Sequence, residues 1–209
     1  MKIFSLFSKK KDFYSQSGQD QFAYNLIGKN GTYLEIGGHD PIINSNTYNL
    51  ETKCHWKGLS VEFDLFHKNA WEKSEERSNK ILWQDAFKVN YMEELNKVGI
   101  SNKIDYLSCD IEPPKNTFKI LKLLIENNLQ FSFISYEHDK YNSGDKYEKL
   151  SKEFLLERGY KIAIDNVYSR NKSYKIYETW FINNKINFQK INYQNWKDKY
   201  FAGGVFKIY

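Results

Sequence analysis

The sequence has few of the features that mark secreted, membrane-spanning or disordered proteins. Its two cysteines, Cys54 and Cys109, match neither a metal-binding spacing nor a disulfide framework, so we expect reduced, partly buried thiols in a cytoplasmic protein. Only three prolines occur, and no serine- or glycine-rich tract suggests a linker. The sequence lacks the apolar run of about 18 residues that a membrane span needs, and its N-terminus lacks the pattern of a secretory signal.

The residues that are abundant favour one folded domain. Of the 209 residues, 41% are hydrophobic and 17% are aromatic, which is enough to bury the core of a single α/β domain. We therefore predict one domain at 14–209, preceded by a basic tail at 1–13. The tail is either frayed or a weak membrane-interface anchor, because apolar residues at 3–7 precede three lysines. With 31 basic against 26 acidic residues the surface is mixed, so nucleic acid is not the expected partner.

Seven segments have the length and apolar pattern of β-strands, and helical patterns alternate with the first five. The predicted strands are 32–36, 58–64, 81–86, 104–112, 131–136, 160–167 and 175–182. Among the helices, 65–76 has the charge of an exposed helix, and 115–128 carries a buried stripe at helical spacing. The last two strands are joined by a link too short for a crossover helix, so they should form an antiparallel hairpin. The prediction is a Rossmann-like α/β fold, with a mostly parallel seven-stranded sheet and helices on both faces.

The turn after the first strand is the clearest candidate binding site. Gly37 and Gly38 follow Ile36 directly, and two residues without a Cβ allow the backbone to bend tightly against a ligand. In an open parallel sheet this turn lies at the carboxyl edge, where ligands bind. The third glycine of a dinucleotide-binding turn is missing, and the Glu35 carboxylate would repel a pyrophosphate.

Acidic residues lie at the ends of four of the predicted strands, at or just past the last apolar residue. They are Glu62, Asp85, Asp110 with Glu112, and Glu137, which His138 follows. A single polar residue after a strand is usually only a loop residue, but four strand ends of a parallel sheet share one edge. Glu62, at the end of the second strand, is placed to accept hydrogen bonds from both hydroxyls of a ribose. Asp85, at the end of the next strand, can accept a hydrogen bond from the amino group of an adenine. These positions predict an adenosine-containing ligand.

Seven short blocks, in this order, resemble the FkbM-like family of S-adenosylmethionine-dependent methyltransferases. They are SQSGQD (15–20), LEIGG (34–38), SNT (45–47), LE (50–51), WKG (56–58), VE (61–62) and DYLSCDIE (105–112). The resemblance covers roughly residues 14–182. It implies a class I methyltransferase fold with S-adenosylmethionine as cofactor, and methylation of a hydroxyl, in many members on a sugar. The expected partner is therefore a small molecule or a glycan.

The resemblance also implies a set of cofactor-binding residues around the first turn and the following strand ends. The predicted set is Gln16, Gln19, Glu35, Gly37, Gly38, His39, Asn46, Thr47, Glu62, Phe63, Asp85, Ala86 and Asp110. Gln16 and Gln19 are either a lid over the cofactor or only helix caps. Two departures from the family pattern concern the turn and the acceptor side. Pro41 replaces a frequent glycine, and the segment after Asp110 reads Ile-Glu-Pro-Pro-Lys in place of x-Glu-Gly-x-Glu.

Methyl transfer to a hydroxyl needs a base, and three residues are the candidates for catalysis. His138 is the preferred base because its ordinary pKa of about 6.5 suits neutral pH, although a structural histidine is the alternative. In an alternative to direct catalysis by His138, a divalent cation, Mg²⁺ before others, would be held by Asp110, Glu137 and His138. Two other functions stay open at this point: a nucleotide-binding oxidoreductase, and a non-catalytic module that binds a cofactor or RNA.

Overall fold

The computed structural model describes residues 13–169, 175–186 and 196. Within these residues, strands and helices alternate along the chain. The strands are β1 Thr32–Ile36, β2 Lys57–Glu62, β3 Lys80–Trp83, β4 Lys103–Cys109, β5 Gln130–Glu137, β6 Tyr160–Ser169 and β7 Lys175–Asn183. The helices are α1 Gln19–Ile27, α2 Tyr48–Cys54, α3 Lys68–Glu72, α4 Tyr91–Lys97, α5 Pro114–Glu126, α6 Lys140–Ser143 and α7 Lys146–Glu157.

The strands form one seven-stranded sheet in the order β3-β2-β1-β4-β5-β7-β6. The pairs from β3 through β5 are parallel, whereas β7 is antiparallel to both β5 and β6. The predicted fold, with its terminal antiparallel hairpin, is therefore confirmed. Because the strand order reverses between β1 and β4, the carboxyl ends of these two strands form the switch point at which such sheets bind ligands.

Alternate residues of the central strands face two hydrophobic cores, one on each side of the sheet. In β1, Leu34 faces the core that includes residues of α4, α5 and α7, and Tyr33 faces the core that includes residues of α1 and α2. The same alternation in β4 and β5 sends Leu107 and Ile134 to the first core, and Tyr106 and Phe133 to the second. Helices thus cover both faces, and the carboxyl edge between them is left for the site.

Three helical segments differ from the sequence prediction, and one of them, the four-residue α6, has no counterpart in it. The predicted helix at 65–76 is a 3₁₀ turn at Leu65–His67 followed by the short α3, with only Trp71 buried. One buried residue gives such a segment little tertiary support, so a long helix is not stabilised there. The helix α4 also has no counterpart in the prediction. Its buried residues, Tyr91 and Leu95, are only two, and this sparse apolar pattern explains why the sequence did not indicate it.

Both cysteines, Cys54 and Cys109, are free and buried. Trp196 is buried against Trp180 and Phe22, with ring centroids 5.4 and 5.7 Å away. The rest of the aromatic segment at 188–209, which the sequence suggests is a flap packed on the sheet edge, lies outside the described residues, as do most of the basic tail and the hairpin link at 170–174. Within the described part of the chain, every helix is too short or too polar to cross a membrane.

Candidate active site

The turn after β1 lies directly against the end of β4. Gly37 has a φ of 90°, and a Cβ built on it would stand 1.7 Å from the backbone oxygen of Asp110. Only glycine fits this position without moving the backbone. Gly37 also donates its N–H to Val61 of β2 at 2.9 Å, so the turn is held between the two neighbouring strands.

Two clefts open on either side of this turn, and they share Gly37, His39 and Asp110. The larger cleft, of about 570 Å³, lies over the ends of β2 and β3. Its other lining residues are Val61, Glu62, Phe63, Asp64, Gln84, Asp85, Ala86, Phe87, Ile111, Glu112 and Asn116. The smaller cleft, of about 200 Å³, lies over the ends of β1, β4 and β5. It is completed by Gln16, Gln19, Glu35, Gly38, Asp40, Ile43, Asn44, Ser45, Asn46, Glu137, Tyr177 and Glu178.

The larger cleft is lined by five acidic residues, and phenylalanines lie beside two of them, Glu62 and Asp85. Glu62 accepts hydrogen bonds from the N–H groups of His39, Phe63 and Asp64, at 2.7 to 2.8 Å. Asp85 caps the following 3₁₀ turn by accepting from the Phe87 N–H at 3.0 Å. Phe63 is 75% exposed and Phe87 37% exposed, so their rings are accessible at the cleft. The sequence predicted Phe63 but not Phe87, which sits in a turn without a recognisable pattern.

The smaller cleft is strongly acidic. Five carboxylates line it, and among the described residues that form its wall none is a lysine or an arginine. They are Glu35, Asp40, Asp110, Glu137 and Glu178. Such a wall favours a ligand that carries positive charge and disfavours phosphate.

Glu35 is fixed by hydrogen bonds from both sides. Its carboxylate accepts from the Thr47 hydroxyl at 2.9 Å and from the Ser60 hydroxyl at 2.7 Å. Burial raises the pKa of Glu35, and the nearby Arg77 guanidinium opposes this rise. Thr47 is fully buried and acts through Glu35, whereas Asn46 reaches the cleft wall and donates to the Ser108 hydroxyl at 2.9 Å.

The glutamines predicted as a lid do reach the smaller cleft. Gln19, the first residue of α1, donates from Nε2 to both carboxylate oxygens of Glu178 at 3.0 Å and to the Tyr177 hydroxyl at 3.2 Å. Gln16 precedes the helix and lines the cleft as well. Sequence reasoning missed Tyr177 and Glu178, which lie inside β7. Only the register of the hairpin, which pairs Glu178 with Glu137, places them beside the end of β5.

His138 is not brought to the site. It is fully buried and lines neither of the two clefts formed by the described residues. Its Nδ1 accepts from the Lys140 N–H at 3.2 Å, so the neutral ring carries its proton on Nε2, which lies 3.2 Å from the Thr179 hydroxyl. Successive strand residues point to opposite sides, so Glu137 faces the cleft and His138 faces away. The alternative of a structural histidine fits this position better than a base does.

The predicted metal site is also not formed. Within the described ranges, no group of three or more histidine, cysteine, aspartate or glutamate side chains could hold a metal ion. Asp110 and Glu137 both line the smaller cleft, but His138 is turned away from them. The described structure therefore does not support a Mg²⁺ ion on these three residues.

Comparisons with known proteins identify the fold. No protein-family model and no curated protein matches the chain. Among solved structures, Bacillus cereus O-methyltransferase with bound S-adenosylhomocysteine has a TM-score of 0.54 and 11% identity, over 80% of this chain and 79% of that one. Aeropyrum pernix fibrillarin with bound S-adenosylmethionine has a TM-score of 0.52 and 14% identity, over 82% of this chain and 76% of that one. Methanococcus jannaschii fibrillarin, a pre-rRNA processing protein, has a TM-score of 0.52 and 16% identity, over 85% of this chain and 86% of that one. The chain thus has the class I S-adenosylmethionine-dependent methyltransferase fold.

The buried His138 predicts a specific pH dependence of stability. Burial lowers the pKa of His138 to about 4, below its ordinary 6.5. Between these two values the unfolded chain binds a proton that the folded chain does not, so the free energy of unfolding falls as the pH falls. The contribution amounts to about 1.4 kcal/mol per pH unit at most. We expect His138→Asn to lose this dependence, as measured by urea unfolding at several pH values from 7 to 4.

The comparison must be made between variant and wild type at each pH. Asp20 acts in the opposite direction, because burial raises its pKa to about 6 and its contribution is lost as the pH rises from its ordinary 3.8. This contribution is common to both proteins and cancels in the difference. Stability curves that stay parallel from pH 7 to pH 4 would show that His138 is not a buried neutral histidine.

Proposed function

We propose that the protein is an S-adenosylmethionine-dependent methyltransferase that methylates a hydroxyl group of a sugar or glycan. The observation that carries the proposal is the pair of acidic clefts that meet at Gly37, of which the larger also carries the exposed rings of Phe63 and Phe87 beside Glu62 and Asp85. The fold supports S-adenosylmethionine as the cofactor, because both clefts lie at the carboxyl edge of the sheet. The resemblance to the FkbM-like family supports a hydroxyl group of a sugar as the methyl acceptor.

The two clefts match the two halves of the cofactor in chemistry. In the larger cleft, Glu62 is placed to accept from the ribose hydroxyls, and the rings of Phe63 and Phe87 offer apolar faces to an adenine. In the smaller cleft, the carboxylates of Glu35 and Asp110 suit the ammonium and sulfonium charges of the methionine half. The same carboxylates would repel the pyrophosphate of a dinucleotide, so an oxidoreductase is disfavoured.

Bound S-adenosylmethionine supplies an electrophilic methyl group, and the chain has to orient the acceptor and remove its proton. A neutral hydroxyl is a poor nucleophile, so a base within hydrogen-bond reach is required. We assign this role to Glu137, which is 8% exposed, ends β5 and lines the smaller cleft beside Asp110. Glu178, its cross-strand neighbour, is held by Gln19 and helps to orient the acceptor. His138 and a metal ion have no part in this mechanism.

The charge of the smaller cleft restricts the acceptor. A neutral sugar can donate hydroxyls to carboxylates, whereas a phosphodiester brought to the same place would be repelled. This argument disfavours the alternative of an RNA-binding module. A module that binds the cofactor without catalysis remains the competing function, and it differs from an enzyme only in turnover.

Calorimetric titration with S-adenosylhomocysteine tests the cofactor assignment. We expect the wild type to bind it and not to bind NAD⁺. In Glu62→Ala the affinity should fall by about 1 to 3 kcal/mol, because the charged acceptor for the ribose is lost. Glu126→Ala is the matched control. Glu126 ends α5, which returns from the site to the opposite edge of the sheet, and its one ion pair among the described residues is with Lys122 in the same helix.

Two results would contradict the assignment. If the wild type does not bind S-adenosylhomocysteine, the methyltransferase proposal fails. If Glu62→Ala and Glu126→Ala both bind as the wild type does, the larger cleft does not hold the ribose. Because Glu62 also accepts from three backbone N–H groups, each variant should first be shown to unfold at the same temperature as the wild type.

Turnover of Glu137→Gln tests the base. The amide retains the shape of the side chain but cannot take a proton, so the rate should fall by roughly 10²- to 10⁴-fold while the affinity for S-adenosylhomocysteine is kept. The assay follows methyl transfer from S-adenosylmethionine to a panel of neutral mono- and oligosaccharides. His138→Asn is the control and should retain most of its turnover.

The outcomes separate the parts of the proposal. Loss of turnover in His138→Asn with normal turnover in Glu137→Gln would show that His138, and not Glu137, is the base. A wild type that binds the cofactor but methylates no sugar of the panel would contradict the sugar acceptor and favour the non-catalytic module.

A further inference from the structure

A buried arginine lies behind the wall of the smaller cleft. Arg77 belongs to the segment between α3 and β3, and its side chain is only 1% exposed. Burying a guanidinium costs free energy unless its charge is paired, so the groups around Arg77 have to compensate this charge. Its five N–H donors form a rigid planar fork, which can hold several groups in fixed positions at once.

Two carboxylates and an aromatic ring compensate the charge of Arg77. Its Nε lies 2.8 Å from a carboxylate oxygen of Glu51 in α2, and its Nη2 lies 3.8 Å from a carboxylate oxygen of Glu35. The guanidinium also lies over the ring of Trp71, 4.2 Å from its centroid. Glu35 faces the smaller cleft, so the charge pairing extends to the cleft wall.

The remaining donors of Arg77 hold the loop at 39–47. Nη1 donates to the Pro41 carbonyl and to the Ser45 hydroxyl, each at 3.2 Å, and Nη2 donates to the Thr47 hydroxyl at 3.1 Å. The Thr47 hydroxyl in turn donates a hydrogen bond to Glu35 at 2.9 Å. Ser45 lines the smaller cleft, so one guanidinium fixes both the loop that borders this cleft and the acid on the strand beneath it.

The larger cleft does not depend on Arg77 in the same way. None of the groups that Arg77 contacts in the described structure lines that cleft. The nearest link is indirect, through Trp71, whose Nε1 donates to the His39 carbonyl at 2.8 Å. The described contacts of Arg77 therefore lie on the side of the smaller cleft.

We propose that Arg77 is a positioning residue for the amino-acid half of the cofactor. It holds Glu35 and the loop at 39–47 in the arrangement that this half binds, and it leaves the adenosine half to other residues. The inference rests on the proposed function, because the cofactor gives the two clefts their separate roles. A lysine could keep one charge near Glu35 and Glu51, but its single nitrogen cannot reach Pro41, Ser45 and Thr47 as well.

Two nucleosides separate a positioning role from a general structural one. S-adenosylhomocysteine carries both halves, whereas 5′-methylthioadenosine carries the adenosine and lacks the amino-acid group. We expect Arg77→Lys to bind S-adenosylhomocysteine roughly 10- to 100-fold more weakly than the wild type, because charged hydrogen bonds that position its site are lost. Binding of 5′-methylthioadenosine should change by less than about threefold.

A second variant and a control complete the experiment. Arg77→Met removes the charge and should show the same split with a larger loss for S-adenosylhomocysteine. Arg158→Met is the matched control, because this guanidinium also stacks on a ring, that of Phe154 at 3.7 Å, but lies at the end of α7 away from both clefts. It should leave the affinity for both nucleosides unchanged. If Arg77→Met does not fold, Arg77→Lys alone carries the test.

Each other outcome overturns the inference. Equal losses for both nucleosides in a folded Arg77→Lys would assign Arg77 a general structural role, as would failure of both Arg77 variants to fold. Unchanged affinities would show that the loop does not need Arg77. If the wild type binds neither nucleoside, the proposed function itself fails, and that result is distinguishable because it appears before any substitution is made.

Discussion

The contact between Gly37 and the backbone of Asp110 is the constraint on which the rest of the site depends. At this point the end of β1 lies so close to the end of β4 that a single Cβ would stand 1.7 Å from the Asp110 oxygen. The close approach puts Gly37, His39 and Asp110 in the wall of both clefts. The two halves of a ligand can therefore bind on opposite sides of one turn, with the acids of the neighbouring strands around them.

Both clefts are acidic, and the exposed phenylalanine rings give the larger one a different character. The larger cleft combines Glu62 and Asp85 with exposed phenylalanine rings, which suits a nucleoside. The smaller cleft is lined by five carboxylates, and the positive charge that compensates Glu35 comes from Arg77, behind the wall. A cationic ligand can thus reach Glu35 from the cleft while the guanidinium holds this carboxylate from within the protein. This arrangement is the reason why we propose a sulfonium nucleoside rather than a dinucleotide as the ligand.

The sheet could be predicted from the sequence because its signals are local. The run 32–36 is β1 as the structure has it, and the glycines after it mark the end of the strand. The strand-end acids Glu62 and Asp85 followed from the parallel order alone. The short α3 and the helix α4 were not predicted correctly, because so few of their residues are buried that they leave a weak periodic pattern.

Parts of the site depend on tertiary placement that the sequence does not contain. Glu137 and His138 are neighbours in the chain, but the alternation of a strand turns one into the cleft and the other into the core. Glu178 enters the cleft only through the register of the hairpin, and Arg77 lies in a loop with no motif around it. Such residues become visible only when the fold brings distant segments together.

A crystal structure of the protein with S-adenosylhomocysteine would test the two-cleft site most directly. We expect the ribose on Glu62, the adenine between Phe63 and Phe87, and the amino group of the homocysteine among the carboxylates of the smaller cleft. A ligand bound in the reverse orientation, or away from the turn at Gly37, would contradict this expectation.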